Sequence, residues 1–230
     1  MLNIAHSGVV AGAEANSQAS ARASGMHMTG ASNRSMNIAI AALALLFFFP
    51  LMILVGLAIW CQDRGPVFFA HWRIGRDGRK FPCLKFRSMA IDAQDRLNLL
   101  LANDPQARAE WERDHKLRND PRITPLGGIL RVTSLDQLPQ LINVIRGEMD
   151  LVGPRPIVDG EVPKYGQRFK HYCAVNPGIT GLWQVSGRND TSYRSRVAMD
   201  CLYARSKSLP LDLWILAATV PAVLLRKGSY

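Results

Sequence analysis

The sequence predicts an α+β fold: a re-entrant membrane helix-hairpin, amphipathic helices at the membrane interface, a small sheet and an irregular Gly/Pro-rich segment. Three observations predict it. Ile38 to Cys61 carries no charge over 24 residues and has Pro50 near its middle. Short runs of β-type alternation flank the turn sequence GRDGRK. Beyond residue 90 the apolar spacing becomes helical, with Gly and Pro gathered between the periodic stretches. With 230 residues, 48% of them hydrophobic and 20% charged, the chain can bury a real core, so disorder throughout is excluded.

The elements follow in order. Residues 1–34 are rich in Ala, Ser, Gly and Asn without a sustained apolar period, which predicts a disordered tail. They lack the charged and apolar order of a signal peptide. Residues 35–62 are the membrane segment. As a straight helix the charge-free run is about 36 Å long, enough to cross a hydrocarbon core of about 30 Å. A simple span is therefore one reading. The other is a hairpin broken at Pro50, because Pro removes a helix hydrogen bond, and Arg22 and Arg34 before the run face Arg64, Arg73, Arg76, Arg79 and Lys80 after it.

Residues 63–230 form the remaining domain. VFFAHWRIG and KFPCLKFRSM read as two strands about the turn signal Asp77-Gly78. A helical pattern runs from Ala90 to about Lys116, with Leu97, Leu100 and Leu101 on one face and a restart at Asp104-Pro105. Another runs from about Asp136 to Arg146, with Leu138, Leu141, Ile142 and Ile145 on one face and Gly147 as its stop. Residues 192–207 are again helical. The C-terminal LPLDLWILAATVPAVLL is too short and broken to span, so it lies in the interface or packs on the hairpin. Four scattered cysteines, without a C-x-x-C pair, fit reduced buried thiols.

The excess of 28 Lys+Arg over 18 Asp+Glu gives +10, which suits nucleic acid, an anionic membrane or phosphate-bearing substrates. No nucleic-acid module is present, so no nucleic-acid partner is expected. In SLDQLPQL, Asp136 can serve as a helix cap, or Ser134 can cap with Gln137 completing a capping box. The same carboxylate can act as a nucleophile, because the helix N-terminus keeps it ionised. Arg122, Arg131, Arg146, Arg155 and Arg188 surround it in sequence, amid Gly/Pro turns that suit phosphate. Glu148, Asp150, Asp159 and Glu161 bracket the GPRP turn.

The succession of the Pro-broken apolar run, LKFRSM, RVTSLDQLPQLINVIRGEMDLVGPRP, PGITGLWQVSGRND and MDCLYARSKSLPLDLWIL resembles the bacterial sugar transferases. These are small monotopic phosphoglycosyl transferases that prime polysaccharide assembly, and the likeness covers roughly residues 35–230. The resemblance implies transfer of a hexose-1-phosphate, galactose or glucose, from a UDP-sugar to undecaprenyl phosphate with release of UMP. It implies Mg²⁺ and a covalent ester on Asp136, at the cytoplasmic face of the bacterial inner membrane in contact with its lipid. Lys85, Arg87, Arg131, Arg155, Arg188, Asp200 and Asp212 are the substrate-binding residues it implies, with Gln137 and Asp200 on the metal. Gln137 departs from the family's Asp–Glu dyad. The departure leaves open a natural variant with another acid on the metal (Asp200, Asp150 or Glu148), an engineered weakened form, and a catalytically silent homologue that binds substrate or partners. A homo-oligomer is also left open.

Overall fold

The computed structural model describes residues 7–114, 117, 120–186 and 191–224, and the side chains of residues 34–112, 117, 120–186 and 191–222. Helix α1 runs from Ser7 to Asp63. Strands β1 (Phe68–Ile74) and β2 (Lys80–Phe86) follow, then α2 (Ala93–Asn103), α3 (Pro105–Asp114) and α4 (Pro125–Val132). A 3-10 turn at Leu135–Gln137 leads into α5 (Gln140–Arg146) and β3 (Asp150–Val152). Next come α6 (Val162–Tyr165), α7 (Phe169–Cys173), β4 (Gly178–Thr180), α8 (Leu182–Ser186), α9 (Tyr193–Ser206) and α10 (Leu209–Leu224). The class is α+β.

Two expectations at the N-terminus change. The tail predicted to be disordered follows a helical backbone from Ser7, for its Ala, Met, Gln and Glu are good helix formers even without an apolar stripe. Pro50 sits inside α1 and the helix continues through it, so the turn a hairpin would need is not formed there. The stretch Arg34–Asp63 is long and apolar enough to cross a membrane by length and composition.

Both ends of that stretch are nevertheless fastened to the same domain. Arg34 donates to the Ile145 carbonyl at 3.1 Å, satisfying an end of α5, and lies 3.9 Å from Asp150. Asn37 Oδ1 accepts from the Leu151 amide at 2.8 Å. At the far end Asp63 pairs with Arg87 and caps the Gly65 amide. Between these clamps Ala41 packs with Leu141, Val144 and Ile215, while Met52, Val55 and Ile59 pack with Phe86 and Leu130. Other faces of α1 leave Leu43, Leu46, Phe47 and Leu54 exposed.

The antiparallel hairpin forms as read, in register from Phe68 opposite Phe86 to Ile74 opposite Lys80. Asp77 and Gly78 both take positive φ, as a tight turn demands. Asp104 caps α3 through its carboxylate, and Gly147 ends α5 at φ 89. The parallel pair β3–β4 brings the GPRP and PGITG segments together so closely that a Cβ on Gly178 would lie 2.0 Å from the Gly153 nitrogen. Only glycine fits such an approach. Helix α10 packs Ile215 into the cluster that holds Ala41, and leaves Leu213 and Trp214 exposed.

The buried face of α5 differs from the apolar reading. Ile145 is partly exposed, and Gln140 and Asn143 are buried instead. Asn143 is 0% exposed because it replaces missing sheet partners: it accepts from the Leu84 amide at 3.0 Å and donates to the Pro82 carbonyl at 2.8 Å. Its amide also donates to Glu148 at 2.6 Å. Asn143→Ala strands those groups and is expected to cost about 2–4 kcal/mol. The check is a lowered thermal unfolding midpoint in detergent, with Asn143→Gln falling by a similar amount because its longer arm misses both partners.

Candidate active site

The segment that carries Asp136 is not a capped α-helix. Ser134 takes the left-handed conformation at φ 59, its side chain caps nothing, and α5 begins only after Pro139. The capping-box reading therefore fails, because a left-handed residue turns its hydroxyl away from the amides a cap must reach. Asp136 is 5% exposed, and its Oδ1 has no hydrogen-bond partner among the described residues. An orphaned buried carboxylate oxygen is costly in a merely structural role.

Two cations meet this carboxylate. Lys85 Nζ stands 3.8 Å from Asp136 Oδ2, brought there by β2. The charge of Arg131 acts on the same group from the last turn of α4, where its Nε donates to Ser88 Oγ at 2.9 Å. Gly127 makes this possible, for a Cβ there would stand 1.9 Å from the Ser88 carbonyl oxygen, so α4 can press against the end of β2. Burial pushes the Asp136 carboxyl above its ordinary value, against the lowering pull of Lys85 and Arg131. Burial likewise lowers Lys85, which Asp136 raises and Arg155 lowers further.

Arg155 is half-buried in the GPRP turn and makes no hydrogen bond or ion pair among the described residues. Its charge reaches Lys85, Arg73, Tyr193 and Asp200. It thus links the Asp136 pocket to a second buried acid. Asp200 is 2% exposed and accepts from the Tyr165 hydroxyl at 2.6 Å. Burial pushes its carboxyl up to about 7, with Tyr165 and Arg155 pulling the other way.

The structure does not gather every residue the sequence nominated. Arg87 is buried with its Nη2 paired to Asp63, which closes α1 onto the domain, while its Nη1 has no hydrogen-bond partner among the described residues. Asp212 lies 2.6 Å from the Tyr203 hydroxyl, near Lys207 and Asp150, and shares no partner with Asp136 among the described residues. Arg122 is engaged bidentately by Asp120. Arg188 lies outside the described residues. Asp200 interacts with Tyr165, Arg155, Glu161 and Arg196.

No group of three His, Cys, Asp or Glu side chains converges as a metal cage among the described residues. Glu148 is taken by Asn143, and Asp150 by Lys207 at 2.6 Å. Gln137 is half-buried beside Asp136 and its side chain makes no hydrogen bond among the described residues. Its amide oxygen is free to take one position on a divalent ion, whereas one Asp200 oxygen already accepts from the Tyr165 hydroxyl.

Sequence reasoning missed Ser88, Tyr165 and Arg73. Arg73 donates to the Pro156 carbonyl at 3.3 Å and sits in the field of Arg155. Period-two alternation could have found it, because the hairpin register puts Arg73 and Lys85 on one face of the sheet.

The sequence profile of the bacterial sugar transferases matches residues 28–226. An undecaprenyl-phosphate galactose phosphotransferase of Salmonella typhimurium is 50% identical over 197 residues, which is 86% of this chain and 41% of that protein. The exopolysaccharide production protein ExoY of Rhizobium meliloti is 48% identical over 201 residues, 87% of this chain and 89% of that one. A UDP-glucose:undecaprenyl-phosphate glucose-1-phosphate transferase of Caulobacter vibrioides is 39% identical over 207 residues, covering 86% and 71%. The chain thus spans about two fifths of the Salmonella protein and most of the other two.

The buried Asp200 gives a pH test of the second acid. Its folded carboxyl keeps a proton up to about 7, whereas an unfolded one releases it near 3.8. Between those values the folded state binds the extra proton, so this group's contribution to stability falls as pH rises, by at most about 1.4 kcal/mol per pH unit. Unfolding of wild type and Asp200→Asn from pH 4 to 8 is expected to show a shallower fall in the variant.

Proposed function

Because the chain belongs to the bacterial sugar transferase family, we propose that it transfers a hexose-1-phosphate from UDP-galactose or UDP-glucose to undecaprenyl phosphate. The observation that carries this reading is Asp136: a buried carboxylate with one oxygen unclaimed, facing Lys85 and Arg131. An Asp136 oxygen attacks the phosphorus that bears the sugar, and the bond from that phosphorus to the UMP oxygen breaks. UMP leaves with the electron pair, and the sugar phosphate remains as an ester on Asp136. An oxygen of the acceptor phosphate then attacks the same phosphorus, the bond to Asp136 breaks, and the carboxylate is restored. No net proton is consumed.

Each cation has a part in this. Lys85 and Arg131 hold Asp136 ionised against burial and lower the charge repulsion met by an anion approaching a phosphate. Arg155, without a protein partner of its own among the described residues, is suited to the donor diphosphate. The Gln137 amide oxygen would help hold Mg²⁺, which when bound would supply further neutralisation of the phosphates. The two-step route suits a water-soluble donor and a lipid acceptor that need not be bound together.

The two clamps on α1 support a monotopic arrangement, in which the apolar segment is held along the domain at one face of the membrane instead of crossing it. The basic residues at both ends support the cytoplasmic side of the inner membrane as that face. The product is the first lipid-linked unit of an exopolysaccharide. Gln137 favours a second reading, a silent homologue that binds these ligands without turnover.

Purified protein given Mg²⁺, undecaprenyl phosphate and either UDP-sugar is expected to release UMP, and Asp136→Asn to release none. Lys85→Met should slow release by ~10²–10³. It should also move the acid limb of the rate profile to higher pH, since Asp136 loses a neighbour that lowers its pKa. Gln137→Glu should reach half-maximal rate at lower Mg²⁺. Release absent in wild type but restored by Gln137→Glu would establish the silent reading instead.

A further inference from the structure

Resting on the transfer reaction above, the structure assigns the isoprenoid chain of the lipid acceptor to an apolar cleft between α1, β1 and α5. The cleft has a volume of 460 Å³, with Leu45, Met52, Ile53 and Gly56 of α1 on one side and Phe68 and Ile142 on the other. It extends along α1 to Trp60, up to about 22 Å of helix at 1.5 Å per residue. Every side chain along it is aliphatic, aromatic or a thioether, so an occupant gains from leaving water or headgroups but finds almost nothing to hydrogen-bond.

Position argues for the acceptor over bulk lipid. The rings of Phe68 and Phe86 stack at 5.4 Å on the face of the hairpin opposite Lys85, and Phe86 packs in one cluster with Leu135 and Leu138. On the opposite wall Leu45 and Met52 pack with Leu135 and Leu138, the residues that flank Asp136 and Gln137. The cleft wall and the support of the nucleophile are one hydrophobic cluster.

The depth of the cleft comes from Gly56. A Cβ there would lie 3.3 Å from Val67 Cγ1, so α1 runs close to the start of the hairpin and leaves a recess where a larger residue would project. Phe47 and Leu54, on other faces of the helix, are exposed outside the cleft and have no such recess. A chain lying in the cleft is held at a fixed offset from Lys85, which turns delivery of the acceptor phosphate into a positioned event.

Two measurements on the full chain in phosphatidylglycerol nanodiscs decide this. Undecaprenyl phosphate carrying a diazirine in its chain is expected to label peptides containing Met52–Gly56 and Ile142, and excess unlabelled undecaprenyl phosphate to erase the label. Labelling elsewhere, or equal labelling by a diazirine phospholipid that undecaprenyl phosphate does not displace, overturns the assignment. In the kinetic arm, Ile53→Trp and Leu57→Trp fill the cleft, and Phe47→Trp is the control. The fillers should cut the preference in kcat/KM for undecaprenyl over farnesyl phosphate by about tenfold or more, equivalent to roughly two buried methylenes. UMP release in the donor-only half-reaction should be unchanged. An unaltered preference overturns the proposal. Absence of UMP release in wild type would count against the transfer reading alone, and the labelling would still decide the cleft.

Discussion

Asp136 sets the terms for the rest of the molecule. Burial drives its carboxyl toward the neutral form, and only nearby positive charge can hold it ionised. The two cations that do so come from different elements, Lys85 from β2 and Arg131 from α4, and burial penalises both of them as well. Three groups that would each prefer water are thus kept together by parts of the fold that have no charge. Gly127 lets α4 sit on Ser88, Ser88 holds Arg131, and Asn143 binds α5 to the backbone of β2 beside Lys85. Loss of any of these would not remove a charge, but it would let the charges drift apart.

The same elements set the depth of the site. Arg34 and Asn37 pin one end of the apolar helix to α5 and β3, and Asp63 pins the other to Arg87 just after β2. Arg87 follows Lys85 by two residues, so the clamp and the Asp136 pair hang on one strand. The apolar helix is thereby coupled to the carboxylate. This explains why Arg87 is buried in an ion pair while Lys85 stays near a gap. The first fixes the frame, and the second keeps its ammonium available.

Much of this was legible in the sequence where the signal is local. Asp77-Gly78 needs only its own φ values to turn, Asp104 caps the helix it begins, and Gly147 stops the helix it follows. The capping box failed because cap geometry depends on the conformation of Ser134, which the turn after α4 sets, and not on its residue type. Asn143 was read past as a polar residue on an apolar stripe, for its partners lie about 60 residues away in β2. Arg87 and Asp212 were nominated by motif and lie in structural pairs with Asp63 and Tyr203. Motifs show which residues matter together, but contacts distant in sequence decide what each one touches.

Gln137 is easier to understand within this balance than as a simple loss. A carboxylate beside Asp136 would help hold a divalent cation, yet it would also place a second negative charge next to a carboxyl that burial already pushes toward protonation. With the amide, Lys85 and Arg131 act on Asp136 alone, and less positive charge is needed to keep it ionised in the absence of bound metal. The gain is greatest in the free enzyme and smallest once the donor has brought its own cation. On the proposed reaction, glutamine at this position exchanges metal affinity for readiness of Asp136. That exchange is reasonable only in a site where fixed cations already carry much of the neutralisation, and Lys85, Arg131, Arg73 and Arg155 make this such a site.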